Sequence, residues 1–413
     1  MSQVRPDIWG QGILFAFSGW DGTTDWFEDF VLIAEEKPFV WRVEGTVSFV
    51  FQIRTALQDN LSLVSADVIA NDHLAAVFED TKGSRVEIKM AMRDCHTLVG
   101  SVTLLDDAAE IVLSVAKLEP PVRVECDIEA LRVRHGDKAR VVFLERSDVS
   151  LEEDGYHLTT QAEKGDCVLF CVGKSVPNNF SAAVLREAFE TRESFFTRLP
   201  DAPGAFLDPD PINRMKALLK AASVIKVNLH TAQGQIPYNW STPDRYPHRK
   251  MWLWDSAFHT IGLRFLDPDL AGDQVKAVLS QMQDNGFIPH YSCPAGETSN
   301  ITQAPILAWA SLAVFLEHHE KTFLRDVYPQ LRQFLEFFLR ERDRDGDGLC
   351  EWEFRHASGM DNSPRFDEGS SFDAVDLNCF LARDFDAMRW IAKALENEFP
   401  GDADMWFERH QTI

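Results

Sequence analysis

Part-way along this chain the spacing of the apolar residues changes from two to about 3.6, and no single structural layer accommodates both periods. Val86-Glu87-Ile88-Lys89-Met90-Ala91-Met92 alternates apolar and polar side chains, as a strand with one buried face does. Residues 74–78 precede it across a turn containing Lys82-Gly83-Ser84, which predicts a hairpin. A second hairpin is expected from 131–133 to 141–144 through His135-Gly136-Asp137. A third would join 156–160 to 168–171 through Lys164-Gly165-Asp166. Short strands punctuated this way predict an all-β sandwich over residues 1–178.

Beyond that point the pattern is helical. Residues 182–196 read as a helix inside a linker, 179–206, stopped by Pro200-Asp201-Ala202-Pro203. Met215, Leu218, Leu219, Ala222, Ile225 and Leu229 recur on one helix face. Val327, Leu331, Phe334, Leu335 and Phe338 do the same, as do Leu377, Phe380, Leu381, Met388, Ile391 and Leu395. With further helices at 255–265, 270–284 and 305–318, residues 207–413 read as an all-α domain of six helices. Three long polar segments, 234–251, 285–302 and 343–371, join them, and long loops of that kind usually carry function.

At 413 residues the chain can hold two or three domains with substantial cores. A net charge of −24 argues against nucleic acid or an anionic membrane as partner, since those need clustered Lys and Arg. Neutral ligands such as sugars stay open. No basic stretch followed by an apolar run opens the chain, and no segment is apolar enough to span a bilayer. A cytoplasmic protein is expected, with its seven cysteines reduced and mostly buried.

Tyr238-Asn239-Trp240 and Trp252-Leu253-Trp254-Asp255 set flat aromatic rings beside carboxylate and amide groups. A sugar site needs that combination, because sugar rings present apolar C–H faces rimmed with hydroxyls. Core packing, with Asp255 capping the next helix, accounts for the same residues. His259 shares a helix face with Asp255, and Gln303 at a helix start either bonds a sugar hydroxyl or caps that helix. Asp361 sits on a sharp polar turn, Gly359-Met360-Asp361-Asn362-Ser363-Pro364. A general acid there needs a partly dry site that keeps it protonated; ordinary turn chemistry uses the same residue types. Arg365 would orient Asp361 or a substrate acid, or form a surface ion pair. Asp343, Asp345, Asp347, Leu349 and Glu351 make an acidic loop turning at Gly346. It is an oxygen cage suited to Ca2+, though not an EF-hand, and a solvated helix cap is the alternative.

Five segments taken together resemble glycoside hydrolase family 63 and its relatives, the mannosylglycerate and glucosylglycerate hydrolases. They are Trp252-Leu253-Trp254-Asp255-Ser256-Ala257-Phe258-His259, Gly286-Phe287-Ile288-Pro289, Thr302-Gln303-Ala304-Pro305, Asp345-Gly346-Asp347-Gly348-Leu349 and the Asp361 turn. The likeness covers about residues 207–400. It implies a β-sandwich followed by an (α/α)6 toroid of six inner and six outer helices. It also implies that Asp361 is the general acid of an inverting, exo-acting α-glucosidase or α-mannosidase. Tyr238, Trp252, Trp254, Asp255, His259, Gln303 and Arg365 become candidates for binding the carbohydrate. Calcium at the acidic loop is a known feature of the group, and the chemistry requires no cofactor.

Inversion also needs a Glu base about 6.5–9.5 Å from the acid. The family carries it on a loop far downstream of the Asp361 segment. The resemblance therefore implies that residues 207–413 supply about the first half of the toroid, completed by a missing half or a partner chain. A noncatalytic carbohydrate-binding protein is the main rival, and another (α/α)6 enzyme, a phosphorylase or a lyase, is the next.

Overall fold

The structure, a computed structural model, describes residues 14–28, 30–34, 40–45, 47–55, 62–79, 83–116, 118, 121–200, 209–367, 369 and 371–413. Lys82, the 201–203 part of the expected breaker and the N-terminal residues 1–10 lie outside the described residues. The chain forms two compact units, Met1–Val227 and Asn228–Ile413.

The first unit is built on β1 (Leu14–Ala16), β2 (Phe30–Ala34), β3 (Val40–Gly45), β4 (Phe49–Thr55), β5 (Ser62–Ile69), β6 (His73–Glu79), β7 (Arg85–Asp94) and β8 (Thr97–Leu104). It continues with β9 (Ala109–Ala116), β10 (Arg123–Asp127), β11 (Ala130–His135), β12 (Lys138–Leu144), β13 (Asp148–Leu151), β14 (Gly155–Ala162) and β15 (Cys167–Gly173). One sheet runs β1-β2-β3-β4-β9-β14-β13 and the other β10-β11-β12-β15-β8-β7-β6-β5. Alternation decides which residues turn inward. Phe49, Phe51 and Ile53 of β4 are buried while the residues between them are half-buried. They join Trp41, Ile88, Met90 and Phe170 in one core shared by the two sheets. At the ends of the larger sheet, β5 breaks register twice against β6, and β10 exposes Arg123, Glu125 and Asp127.

Two of the three expected hairpins form, β6 with β7 and β11 with β12. The third does not. β14 pairs with β9 and β13, whereas β15 pairs with β8 and β12, so the chain crosses between sheets at Lys164-Gly165-Asp166. Gly165 N donates to Leu104 O at 2.8 Å and Leu104 N donates to Asp166 O at 3.3 Å. The turn is thereby tied to the end of β8 instead of closing a ladder.

Helix α1 (Ala182–Thr197) lays Leu185 and Ala188 on Ala91, Val99, Leu169 and Cys171, the outward side of the larger sheet. Helix α2 (Pro211–Val227) brings Val227 against Ala16, Val31 and Ile33 of the smaller one. Its last turn carries Lys226, fully buried between Asp72 and Asp21, the latter at 3.1 Å. Arg192 of α1 reaches Asp21 at 2.8 Å, and Asp72 is 2.9 Å from His73 Nδ1. The expected face running on to Leu229 is shorter than foreseen. The helix ends at Val227, and Leu229 pairs with Ser241 in a short ladder.

The second unit holds α3 (Leu253–Leu263), α4 (Pro268–Leu279), α5 (Leu307–His318), α6 (Lys321–Glu341), α7 (Val375–Ala394) and α8 (Asp402–Thr412). The last was not foreseen. α5 packs against both α3 and α7, α4 packs against α3 and α6, and α8 packs on α7. Asp384 of α7 accepts from the Ala308 and Trp309 amides at 3.1 and 2.9 Å, capping the start of α5. Among the described residues no helix is long and apolar enough to cross a membrane. All seven cysteines are free, but only Cys171, Cys293 and Cys350 are buried, so the expectation of mostly buried thiols fails.

Candidate functional site

The first turn of α3 and the long loops around it collect most of the expected residues. Trp252 pairs with Tyr291 in a two-residue antiparallel ladder, and Leu253 N donates to His290 O at 3.0 Å. The 285–302 loop is thereby fixed against the start of α3. Trp254 N donates to Gln303 Oε1 at 3.1 Å. Buried Gln303 therefore caps α3, not the α5 helix it precedes. Asp255 is inside the first turn of α3 and is not its N-cap, which is Trp252. Burial pushes its carboxyl above the ordinary range, against hydrogen bonding and the charge of His248. One turn further, His259 Nδ1 lies 2.7 Å from Ser241 Oγ, and burial pushes the imidazole down to about 4.

Asp361 meets this group through a glycine. Short 3-10 turns, Arg355–Ala357 and Pro364–Phe366, flank it. Gly359 has φ of 66°, and a Cβ there would lie 2.4 Å from Cη2 of Trp254. Only glycine lets the loop rest on the indole. Trp254 is further flanked by Phe258 and Phe380, with ring centroids 6.3 and 6.4 Å away. The Asp361 side chain is 56% exposed and its Oδ2 is 3.0 Å from His356 Nδ1, so the expected dry setting is absent. His290 is packed edge-on to Trp252 at 4.9 Å. Burial pushes its imidazole down to about 4, with Lys250 and His356 acting the same way and Asp361 opposing.

Arg365 does not orient Asp361. It donates to Asp376 Oδ2 at 2.8 Å, while Asp376 Oδ1 accepts from Trp352 Nε1 at 3.2 Å. Tyr238 stands on the loop before Trp240, 36% exposed. Among the described residues no hydrogen bond or ring contact joins Tyr238 to this set. His290 and His356 were not chosen from the sequence as site residues; their place in long polar loops was the available signal.

In the acidic loop, oxygens of Asp343, Asp345 and Asp347 lie within 4.8 Å of one another. Asp343 Oδ1 is buried without a hydrogen-bond partner. Gly346 and Gly348, with φ of 77° and 93°, make the turn. Leu349 N donates to Asp347 Oδ1 at 2.8 Å. Desolvation and the charges of Asp347, Asp345, Glu351 and Asp343 raise the Asp373 carboxyl. Three converging carboxylates, one with an orphaned oxygen, suit a hard cation. Glu351 is not among them: its Oε2 accepts from Ser371 Oγ at 2.5 Å and lies 3.4 Å from Arg344.

Residues 246–413 match the family described as Mannosylglycerate hydrolase MGH1-like glycoside hydrolase domain. Over 145 residues the chain is 28% identical to mannosylglycerate hydrolase MGH1 of Selaginella moellendorffii, covering 30% of this chain and 29% of that protein. Over 161 residues it is 31% identical to the glucosylglycerate hydrolase of Mycolicibacterium hassiacum, covering 31% and 35%. The crystal structure of a GH63 mannosylglycerate hydrolase from Thermus thermophilus in complex with glucose aligns with a TM-score of 0.41 and 20% identity. That alignment covers 47% of this chain and 63% of the other. The chain thus spans about a third of the length of these curated relatives. The likeness of the helical region is thus to GH63-like glycosidases. Within that class the family whose description residues 246–413 match is the MGH1-like glycoside hydrolase domain.

Proposed function

We propose that this chain supplies the acid-bearing part of an inverting, exo-acting glycoside hydrolase. Its substrate would be a small α-mannoside or α-glucoside of the mannosylglycerate or glucosylglycerate kind. One contact supports this reading above the others: Gly359 rests on Trp254, which sets Asp361 at the rim of an aromatic wall. A sugar C–H face stacks on that wall, with Asp255 and Tyr238 addressing hydroxyls and Gln303 holding Trp254 in place. Asp361 protonates the glycosidic oxygen. A glutamate activates water on the opposite face, about 6.5–9.5 Å away.

In the same reading α3, α5 and α7 are inner helices, and α4, α6 and α8 outer helices, of the first half of an (α/α)6 toroid. Asp343, Asp345 and Asp347, with the Leu349 carbonyl, would hold a structural Ca2+ ion, and the setting would be cytoplasmic.

The test is to incubate the protein with mannosylglycerate and glucosylglycerate and follow the released sugar by NMR. Inversion gives the β-anomer first. Asp361→Asn should slow release by about 100-fold or more; unchanged release would remove Asp361 as the acid. The exposure of Asp361 favours a second reading, a sugar-binding protein without turnover. That reading expects calorimetric binding of the same glycosides, no hydrolysis, and little effect of Asp361→Asn.

A further inference from the structure

Asp361 stands on an exposed turn, where free rotation would let its oxygens point several ways. A proton donor has to be held within about half an ångström of its productive position. His356, five residues earlier on the same loop, is the group in place, with Nδ1 at 3.0 Å from Asp361 Oδ2. The residues between them keep the pair facing. Ala357 and Ser358 are buried. Ser358 Oγ donates to Arg355 O at 2.7 Å and accepts from Met360 N at 3.1 Å. Gly359 is seated on Trp254. Both side chains therefore leave a turn that is fixed between them.

Two basic groups of the neighbouring loops have their own commitments. Lys250 pairs with Glu297 and lies 4.1 Å from the Tyr291 ring centroid, and Arg365 is bound to Asp376. His290, from the loop that pairs with Trp252, is close enough to respond to the charges of both Asp361 and His356.

We infer that His356 is the positioning residue of Asp361: its Nδ1–H holds Oδ2 and leaves Oδ1 to address the glycosidic oxygen. The inference rests on Asp361 being the acid. The acid proton then sits on Oδ1, while Oδ2 accepts from the imidazole. The neutral ring keeps its proton on Nδ1 and turns the Nε2 lone pair outward, where it can accept from a sugar hydroxyl.

Nitrogen-15 NMR of the histidine-labelled full chain at about pH 8.5 reads that proton directly. His356 signals, assigned by their loss in His356→Gln, should show protonated Nδ1. In Asp361→Ala the proton should move to Nε2, the form a free histidine side chain prefers. The same tautomer in both proteins overturns the inference, whether or not the preparation turns over. With turnover, His356→Ala should lower kcat about 10- to 100-fold with KM within about twofold. Added imidazole should restore part of the rate. An unchanged kcat also overturns the inference. Sugar release unaffected by Asp361→Asn would sink the acid assignment, and the inference with it, without altering the ring measurement.

Discussion

Gly359 has little latitude. A methyl group there meets Trp254 at 2.4 Å, and its φ of 66° is itself costly for an L residue. Gly359→Ala should therefore cost about 1–3 kcal/mol in a urea melt and lift the Asp361 loop, changing the tryptophan emission. An unaltered melt and spectrum would show that the indole yields instead. The residues that could be read from the sequence were those whose neighbours reinforce them. Trp252, Trp254 and Asp255 stand together, Gln303 sits before a prolyl helix start, and Asp361 lies in a run of turn formers. Partnerships were not legible. For Arg365 the sequence left open orienting Asp361, a substrate acid or an ion pair, and the structure gives it an ion pair with Asp376. His356 and His290 have no spacing that marks them, because a single histidine acquires its role only from what folding brings beside it.

At the scale of elements, α2 is held by a buried charge. Burial alone would raise the Asp72 carboxyl, yet Lys226 and His73 bring it down to about 2. Its folded value lies below an unfolded value of about 3.9, so this stability is fully present above that pH. It is lost as the pH falls toward 2. Lys226→Met should leave Asp72 and Asp21 buried beside too little positive charge, costing about 3–5 kcal/mol at neutral pH. Denaturant titration checks it, and a loss below about 1 kcal/mol would mean water reaches the cluster. Period carried most helices from sequence to structure. It missed α8, whose one buried residue is Trp406, stacked on Phe385 at 5.7 Å. It also joined β14 and β15 wrongly. Alternation identifies a strand but not its sheet, and the bonds tying Gly165 and Asp166 to Leu104 span about sixty residues of sequence.

At the scale of the whole molecule, each unit has its own core, so calorimetry should resolve two transitions. About 1 mM Ca2+ should raise one of them by a few degrees if the Asp343 loop holds the ion. EDTA, or Asp345→Asn, should remove the rise and leave the other transition unmoved. A rise shared equally by both transitions would count against the loop. The larger sheet bears on a different matter, the behaviour of many copies in a crowded solution. Its two outer strands are the places where a second molecule could add a strand and begin a fibril. β10 meets such a visitor with Arg123, Glu125 and Asp127, whose hydration would have to be stripped, and β5 meets it with a twice-broken ladder. The larger sheet is thereby guarded at both edges against templating aggregation.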